Sequence, residues 1–376
     1  MASINFQLGN KNIIYVYLKV LHLNIVLMFS KICLRIFLVT LIVVCFTTYN
    51  VSKGQDIQFS QFYSVPMFHN PAFAGSVHAT RATVLTRLQW LGLDANYKTY
   101  YAAGDTYLEK YKSGLGFQIV RDIQGASIYA STQFSFLYSY EIPLSEKFTA
   151  RLGLQATGVQ RTLDYNGLRY PSQFRDSTTS YIGGGNYQTG ISSQLYADFS
   201  AGTVVYSDKL WGGFSVQHLN TPTQSFAGAA PDKLAMNFQL TGGYKIILAK
   251  RKYLAYTDDV TEISITPTFH YKSQGKADQL DVGVYGMYQH LMAGIWYRGI
   301  PIKHYEKTVP NRESVVFLIG WMYKTWNFGY SYDLTVSKLT AAGPGGAHEL
   351  SITYIHKPTK KRKPMKRMPC PSFYKH

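Results

Sequence analysis

Successive side chains of an extended chain point to opposite faces, and from Ala79 onward this sequence holds its apolar and aromatic residues on one parity, segment after segment. Phe134, Phe136, Tyr138 and Tyr140 share one parity while Ser135 and Ser139 take the other. Leu234, Met236, Phe238 and Leu240 oppose Asn237, Gln239 and Thr241. Ile263, Ile265, Phe269 and Tyr271 oppose Ser264, Thr266, Thr268 and His270, and Leu350, Ile352 and Tyr354 oppose Ser351 and Thr353. The period predicts strands over 79–90, 97–109, 114–121, 128–142, 147–161, 194–207, 209–219, 233–248, 261–272, 278–290, 291–301, 313–323, 325–334 and 347–357. Each offers one lipid-compatible face and one polar face. Because a bilayer tolerates no unpaired strand edge, such segments must close on themselves. The expected fold is all-β, a transmembrane outer-membrane β-barrel of about 14 antiparallel strands.

Turn lengths give an independent check, since membrane barrels keep one set of connections short and let the other grow. With both termini periplasmic, the connections after even strands are expected to be short. They fall at Lys110–Ser113, Pro143–Glu146, Asp208, Ala249–Val260, the 290/291 junction and Lys324. The long ones follow odd strands, at Thr162–Ser193, Thr221–Asp232, Ile302–Arg312 and Thr335–Gly346. A soluble sandwich also alternates, but it does not predict this parity of turn lengths. The 31 Tyr and 21 Phe, with only 16% charged residues, also fit a wall with aromatic girdles better than they fit a soluble enzyme.

The barrel segment, 77–357, is preceded by a hydrophobic leader, 1–54. The apolar run Ile36–Phe46 is too short for a helix that needs roughly 20 residues to span a bilayer. Ser52 and Gly54 stand where a signal-peptide cleavage site wants small residues, which makes Gln55 the expected mature N-terminus. Met28 is placed to start a compact signal peptide, 28–54, with 1–27 as an upstream extension; the rival is a membrane helix over Ile13–Phe29, interrupted by Lys19, His22 and Asn24. Cys33 and Cys45 go with the leader, leaving Cys370 and hence no intramolecular disulfide framework. Five basic residues belong to the leader and eight to the stretch from Lys357 onward, neither with an acid. Removing both from +17 leaves +4 for residues 55–356, so the body does not read as a nucleic-acid binder. The basic tail, 358–376, reads as a solvated periplasmic extension, or as a tether to an acidic partner or to anionic headgroups.

Chemistry-bearing constellations are sparse. The histidines, among them His69, His78, His218, His270, His290 and His348, show no metal-binding spacing and read as isolated strand-end residues. Gly114-Leu115-Gly116 and Gly183-Gly184-Gly185 open no helix and read as strand or loop flexibility rather than phosphate loops. Asp105, Asp122, Asp198 and Asp333 are expected to pair inside the barrel with Arg81, Arg87, Arg121 and Arg298 rather than to serve acid/base catalysis. No enzyme activity and no cofactor are expected.

Between leader and first strand lies 55–76, QDIQFSQFYSVPMFHNPAFAGS, with Phe59, Phe62, Tyr63, Met67, Phe68 and Phe73 among breaks at Pro66, Pro71 and Gly75. It makes no regular strand, and a periplasmic-side segment folded into the barrel mouth would bury these aromatics and narrow the lumen. Its motifs resemble the PorP/SprF family of outer-membrane proteins, associated with type IX secretion and gliding. The resemblance rests on Gln55-Asp56 with Phe59-Ser60-Gln61-Phe62-Tyr63, then Pro66, Asn70-Pro71-Ala72 and Ala74-Gly75. It continues through Gln89-Trp90, Tyr97-x-Thr99, Gly114-Leu115-Gly116 with Asp122 and Gly125, and His218-Leu219-Asn220 with Pro222. It closes on Gly329-Tyr330-Ser331-Tyr332-Asp333 and His348-Glu349-Leu350, covering about 55–356. The long Lys/Arg tail and the first 27 residues depart from it. What the resemblance implies is an outer-membrane, non-enzymatic component of type IX secretion. Its partners would be a secreted adhesin, bound through a C-terminal domain, or the periplasmic peptidoglycan-anchored ring, with outer-membrane lipid around it. The motif residues, with Glu349, are the candidate partner-binding positions. A diffusion channel or a lipid or small-solute transporter is the alternative.

Overall fold

The computed structural model describes residues 56–93, 96–125, 128–168, 190–226, 233–252, 260–306, 309–337, 343 and 345–356, without the side chains of 250–252, 260–262, 301–306 and 309–310. The leader with Gln55, Gly183 to Gly185, and the tail with Cys370 lie outside the described residues.

Fourteen antiparallel strands are found among the described residues: β1 (Thr80–Gln89), β2 (Tyr97–Leu108), β3 (Ser113–Gln124), β4 (Tyr129–Pro143), β5 (Thr149–Asp164), β6 (Ile191–Tyr206), β7 (Leu210–Gln217), β8 in two pieces (Asn237–Tyr244 and Ile246–Lys252), β9 (Val260–Gln274), β10 (Ala277–Tyr288), β11 (Leu291–Glu306), β12 (Val309–Tyr323), β13 (Trp326–Thr335) and β14 (Ala347–His356). The two pieces of β8 count as one strand because the register with β9 runs on across the break, from Gly243 opposite Thr268 to Ile246 opposite Ile265, and shifts only farther on, between Ile263 and Ser264. Each strand pairs with its neighbours in sequence, and β14 pairs with β1 from Thr80 opposite His356 to Gln89 opposite Ala347. The sheet is therefore closed, with no free edge for lipid to meet.

The alternation read from the sequence is the alternation of the wall. Phe134, Phe136, Tyr138 and Tyr140 are exposed outward, while Ser135 and Ser139 are buried inward. The short connections 109–112, 144–148, 207–209, 289–290 and 324–325 share one end of the barrel with Thr80 and His356. The opposite end carries the longer connections 165–190, 218–236 and 336–346.

Two details differ from expectation. The connection placed over Ile302–Arg312 is only 307–308, because β11 and β12 continue as a paired hairpin with shifted register. Arg121 does not enter the lumen. It lies on the outward parity of β3, exposed, with Nη1 donating to Thr132 Oγ1.

The inner wall is charged yet shielded from solvent. Arg81, Arg87, Arg151, Arg298, Asp105, Asp281, Asp333 and Glu349 are all buried. A water-filled lumen would leave these groups solvated, so something else fills it: residues 56–79 of the chain itself.

Candidate functional site

Residues 56–79 are not confined to one mouth of the barrel, as expected of a segment folded in from the short-turn side, but run through the lumen from one end to the other. Asp56 is held by His218, Gln274 and Asn237, which follow β7, end β9 and begin β8 at the long-loop end. Gly75 and His78 contact Asp105 and Glu141 at the short-turn end, where the chain turns into β1. Between these points the segment satisfies its own backbone with successive tight turns, as buried amides away from a ladder require. Pro66 starts one helical turn, α1 (Pro66–His69), and Pro71 starts a 3₁₀ turn, Pro71–Phe73. Proline suits both places, because a first-turn residue needs no intrahelical N–H. The Asn70 side chain caps the second turn by accepting from Ala72 N at 2.9 Å.

At the long-loop end His218 bridges two carboxylates, Nε2 to Asp56 Oδ2 at 2.9 Å and Nδ1 to Asp198 Oδ2 at 2.7 Å. Burial works against a charged His218, but the charge of Asp56 and the hydrogen bonds to both acids outweigh it, pushing its pKa up to about 10. For Asp56, burial pushes upward, but the His218 charge and the hydrogen bonds from His218, Asn237 and Gln274 hold the carboxyl well below the usual range. The clasp is therefore an ion pair at neutral pH.

In the middle, Ser60 and Gln61 meet a buried charge network. Both backbone amides donate to the Glu349 carboxylate, at 2.9 and 2.8 Å, and Ser60 Oγ donates to Asp333 at 2.7 Å. Arg87 bonds Asp333 and Glu349 at 2.8 and 3.0 Å, and Arg298 bonds Asp281 and Asp333 at 2.8 and 2.9 Å. Both guanidinium groups also donate to Ser60 Oγ, at 2.9 and 3.1 Å. Charges out of water are tolerable only when paired in this way. The Gln61 carboxamide donates to Glu349 O and accepts from Ser351 Oγ and Tyr63 OH.

Further along, two wall side chains donate to segment carbonyls, Gln217 to Phe68 O and Ser215 to His69 O, each at 2.7 Å. Asn70 in turn donates to the wall carbonyls of Thr203 and Phe214. Arg151 donates to Ala72 O and Ala74 O and pairs with Glu141, which also holds His78.

Close approach is possible because the wall there is made of small residues. Gly114, Ser139, Gly153, Gly202 and Ser215 are successive cross-strand partners on β3 to β7. A Cβ at Gly153 would collide with Pro71 and Ala72, at Gly202 with Asn70, and at Gly114 with Ala74 O. Apolar contacts complete the fit. Phe59, Val65, Met67, Phe68 and Phe73 pack with Tyr101, Val120, Leu137, Tyr206 and Trp211, while Tyr63 packs with Tyr285, Trp296 and Met322.

Of the sequence candidates, Asp56, Phe59, Ser60, Gln61, Phe62, Tyr63, Pro66, Asn70, Pro71, Ala72 and Gly75 lie in the segment, and Gly329, Asp333 and Glu349 face it from β13 and β14. Tyr330 and Tyr332 do not. They lie half-buried on the other parity beside His348, Tyr330 OH 2.9 Å from its Nδ1. The expected carboxylate partners are found for Asp105 with Arg81 and for Asp333 with Arg87 and Arg298. Asp122 instead accepts from Thr99 and Gln124, and Asp198 takes His218. The reading of His69, His78 and His218 as isolated fails for the same reason, since folding brings distant partners to each. Gly114 is likewise a contact point rather than a flexible link. Arg151, Glu141, Gly153 and Gly202 were not anticipated. An inward parity with Gly, Arg or Glu where neighbouring strands carry Ser and Thr was the available signal.

The family model for "Type IX secretion system membrane protein PorP/SprF" matches residues 51–354, which includes the lumen segment and every strand up to β14. The chain belongs to the PorP/SprF family. It is thus an outer-membrane β-barrel and a component of type IX secretion, associated with that system's other components; its family and fold are those of a secretion-system membrane protein rather than of an enzyme class. No curated protein matches the chain. Among solved structures it is similar to a Pseudomonas aeruginosa FadL homologue at 11% identity, covering 77% of this chain and 94% of that one with a TM-score of 0.39. It is similar to the Ralstonia pickettii toluene transporter TbuX at 11% identity, with 78% and 92% covered and a TM-score of 0.42. The Acinetobacter baumannii outer membrane protein Omp33 gives 8% identity, 75% and 100% covered, and a TM-score of 0.35.

Proposed function

We propose that this PorP/SprF barrel works as a closed docking platform, holding a secreted adhesin through its C-terminal domain at the outer membrane, and that residues 56–76 are a built-in plug. The observation that carries the reading is the lumen itself: a segment clasped by ion pairs at its two ends, hydrogen-bonded to the wall between them and seated on a row of small residues occupies the interior. A barrel whose interior is spent on its own chain has its loops and rims left for partners. The short-turn end, with Thr80 and His356, is assigned to the periplasm because membrane barrels keep their periplasmic turns short.

Affinity purification of the tagged full-length protein from its native cells, together with planar-bilayer recording of the purified barrel, tests this. A large secreted surface protein is expected to co-elute, and the intact barrel is expected to stay non-conducting. Steady ion conductance by the intact chain with no protein partner would favour the diffusion-channel reading instead. Co-elution of ring proteins alone would move the docking role to the periplasmic face.

A further inference from the structure

The outward wall of β1 to β6 carries a groove of about 830 Å³. It follows the row Ala82, Gly104, Phe117, Phe136, Ala156 and Phe199, which are successive cross-strand partners. The small residues make its floor. The three phenylalanines stand out as its walls, with Phe136 75% exposed. The Phe117 ring leans over Gly104, where a Cβ would come within 3.2 Å of it.

On the long-loop side of this groove are two basic side chains of the same outward parity, Lys98 and Arg121. They are diagonal neighbours, because Tyr100 stands opposite Arg121 and Lys98 lies two residues from Tyr100 on β2. Arg121 is four residues from Phe117 along β3, roughly 13 Å at the strand rise. One of its donors is taken by Thr132 Oγ1 at 2.9 Å. Among the described residues of β1 to β4, the strands around this pair, every Asp and Glu is of the inward parity, and the nearest outward acid on the wall is Asp164 at the far end of β5. Cations on the lipid face of a barrel carry a cost that falls toward the membrane interface, and an anionic headgroup is what attracts them there.

We propose that this groove is a lipid-binding site for an anionic, phosphate-bearing membrane lipid, with its phosphate on Lys98 and Arg121 and its acyl chains along Ala82, Gly104 and Phe117. A cationic pair toward the long-loop end and an apolar trough farther along the same wall match the two parts of such a molecule. The site lies on the outer wall and is independent of the docking role and of the plug.

Native mass spectrometry of the purified full-length protein with added phosphatidylglycerol or phosphatidylcholine decides the matter. Phosphatidylglycerol is expected to stay bound at collision energies that strip phosphatidylcholine. The double variant Lys98→Gln/Arg121→Gln should weaken phosphatidylglycerol retention roughly tenfold or more, with phosphatidylcholine unchanged. Ala82→Phe, which fills the floor, should weaken both lipids in a barrel that still migrates as folded in unheated gels. Equal retention of the two lipids, or a double variant that binds phosphatidylglycerol as before, overturns the site. So does a co-purifying protein that excludes both lipids, which would make the groove a protein interface.

Discussion

His218 would be an unremarkable strand-end histidine but for the pair of carboxylates that folding brings to its two nitrogens. Its pKa is raised to about 10 from an ordinary 6.5, so the stability it contributes is complete below about 6.5 and is lost as pH climbs through the folded value. Asp56, held low, contributes above its unfolded pKa of about 3.9 and loses that contribution on acidification. The clasp should therefore be tightest between about pH 4 and 6.5 and loosen toward pH 10. Hydrogen exchange of the amides of residues 57–61, corrected for intrinsic rate, is the readout. Protection that is flat from pH 6 to 10 would show that the clasp does not hold the segment. Arg87 makes a second residue-scale case, since it bonds Ser60, Asp333 and Glu349 while buried. Arg87→Ala leaves Glu349 buried without its cation while Asp333 keeps Arg298, a change of the kind that costs about 3–5 kcal/mol, to be read as a lowered unfolding midpoint of the purified barrel in a heat or urea titration.

At the scale of elements, the lumen segment is not a strand and does not behave as a loop. Its prolines start turns, its asparagine caps one, and its backbone donors close locally from Ser64 onward or are taken by wall carboxylates, as at Ser60, Gln61 and Gly75, so that it crosses the lumen without a ladder. What it needs from the wall is room. The row Gly114, Ser139, Gly153, Gly202 and Ser215 supplies it, and that row is where a single added side chain has the largest effect. Gly153→Leu should push Pro71 and Ala72 off the wall, overpacking that typically costs about 1–3 kcal/mol, and open residues 56–76 to added protease while the strands stay folded. An unchanged cleavage pattern would mean that the segment tolerates a side chain there. Removing residues 56–76 should by the same logic turn a silent barrel into a conducting one in planar bilayers.

For the molecule as a whole, closure and occupancy are separate facts with separate consequences. Closure, set by the β14 to β1 pairing, satisfies the backbone in lipid. Occupancy hides the charged inner wall. Together they leave the two rims as the places where a secretion partner can be met. An epitope tag placed in 218–236 or 336–346 should be reached by antibody on intact cells, whereas one in 144–148 should be reached only after the outer membrane is breached. The reverse pattern would invert the assigned orientation and move the docking face with it.

The number of strands and the parity of each face were legible in the sequence because a pleated strand in a membrane has only two sides, and each must match its solvent. Most of the lumen segment's contacting residues were legible too, though as motif letters rather than as contacts: Ser60 and Gln61 next to Phe59, Asp333 after Gly329, Glu349 after His348. That these letters meet, across more than 270 residues between Ser60 and Asp333, followed only from closing the barrel. The sequence misplaced Arg121 as a lumen arginine because residue type suggested pairing where parity dictated lipid, and it took Gly114 for a flexible link because nothing local says that another backbone will press against it. Alternation is a property of neighbours along the chain and can be read from one. The occupant of the lumen is a property of residues that become neighbours only when fourteen strands close around it, and that was decided by the tertiary structure alone.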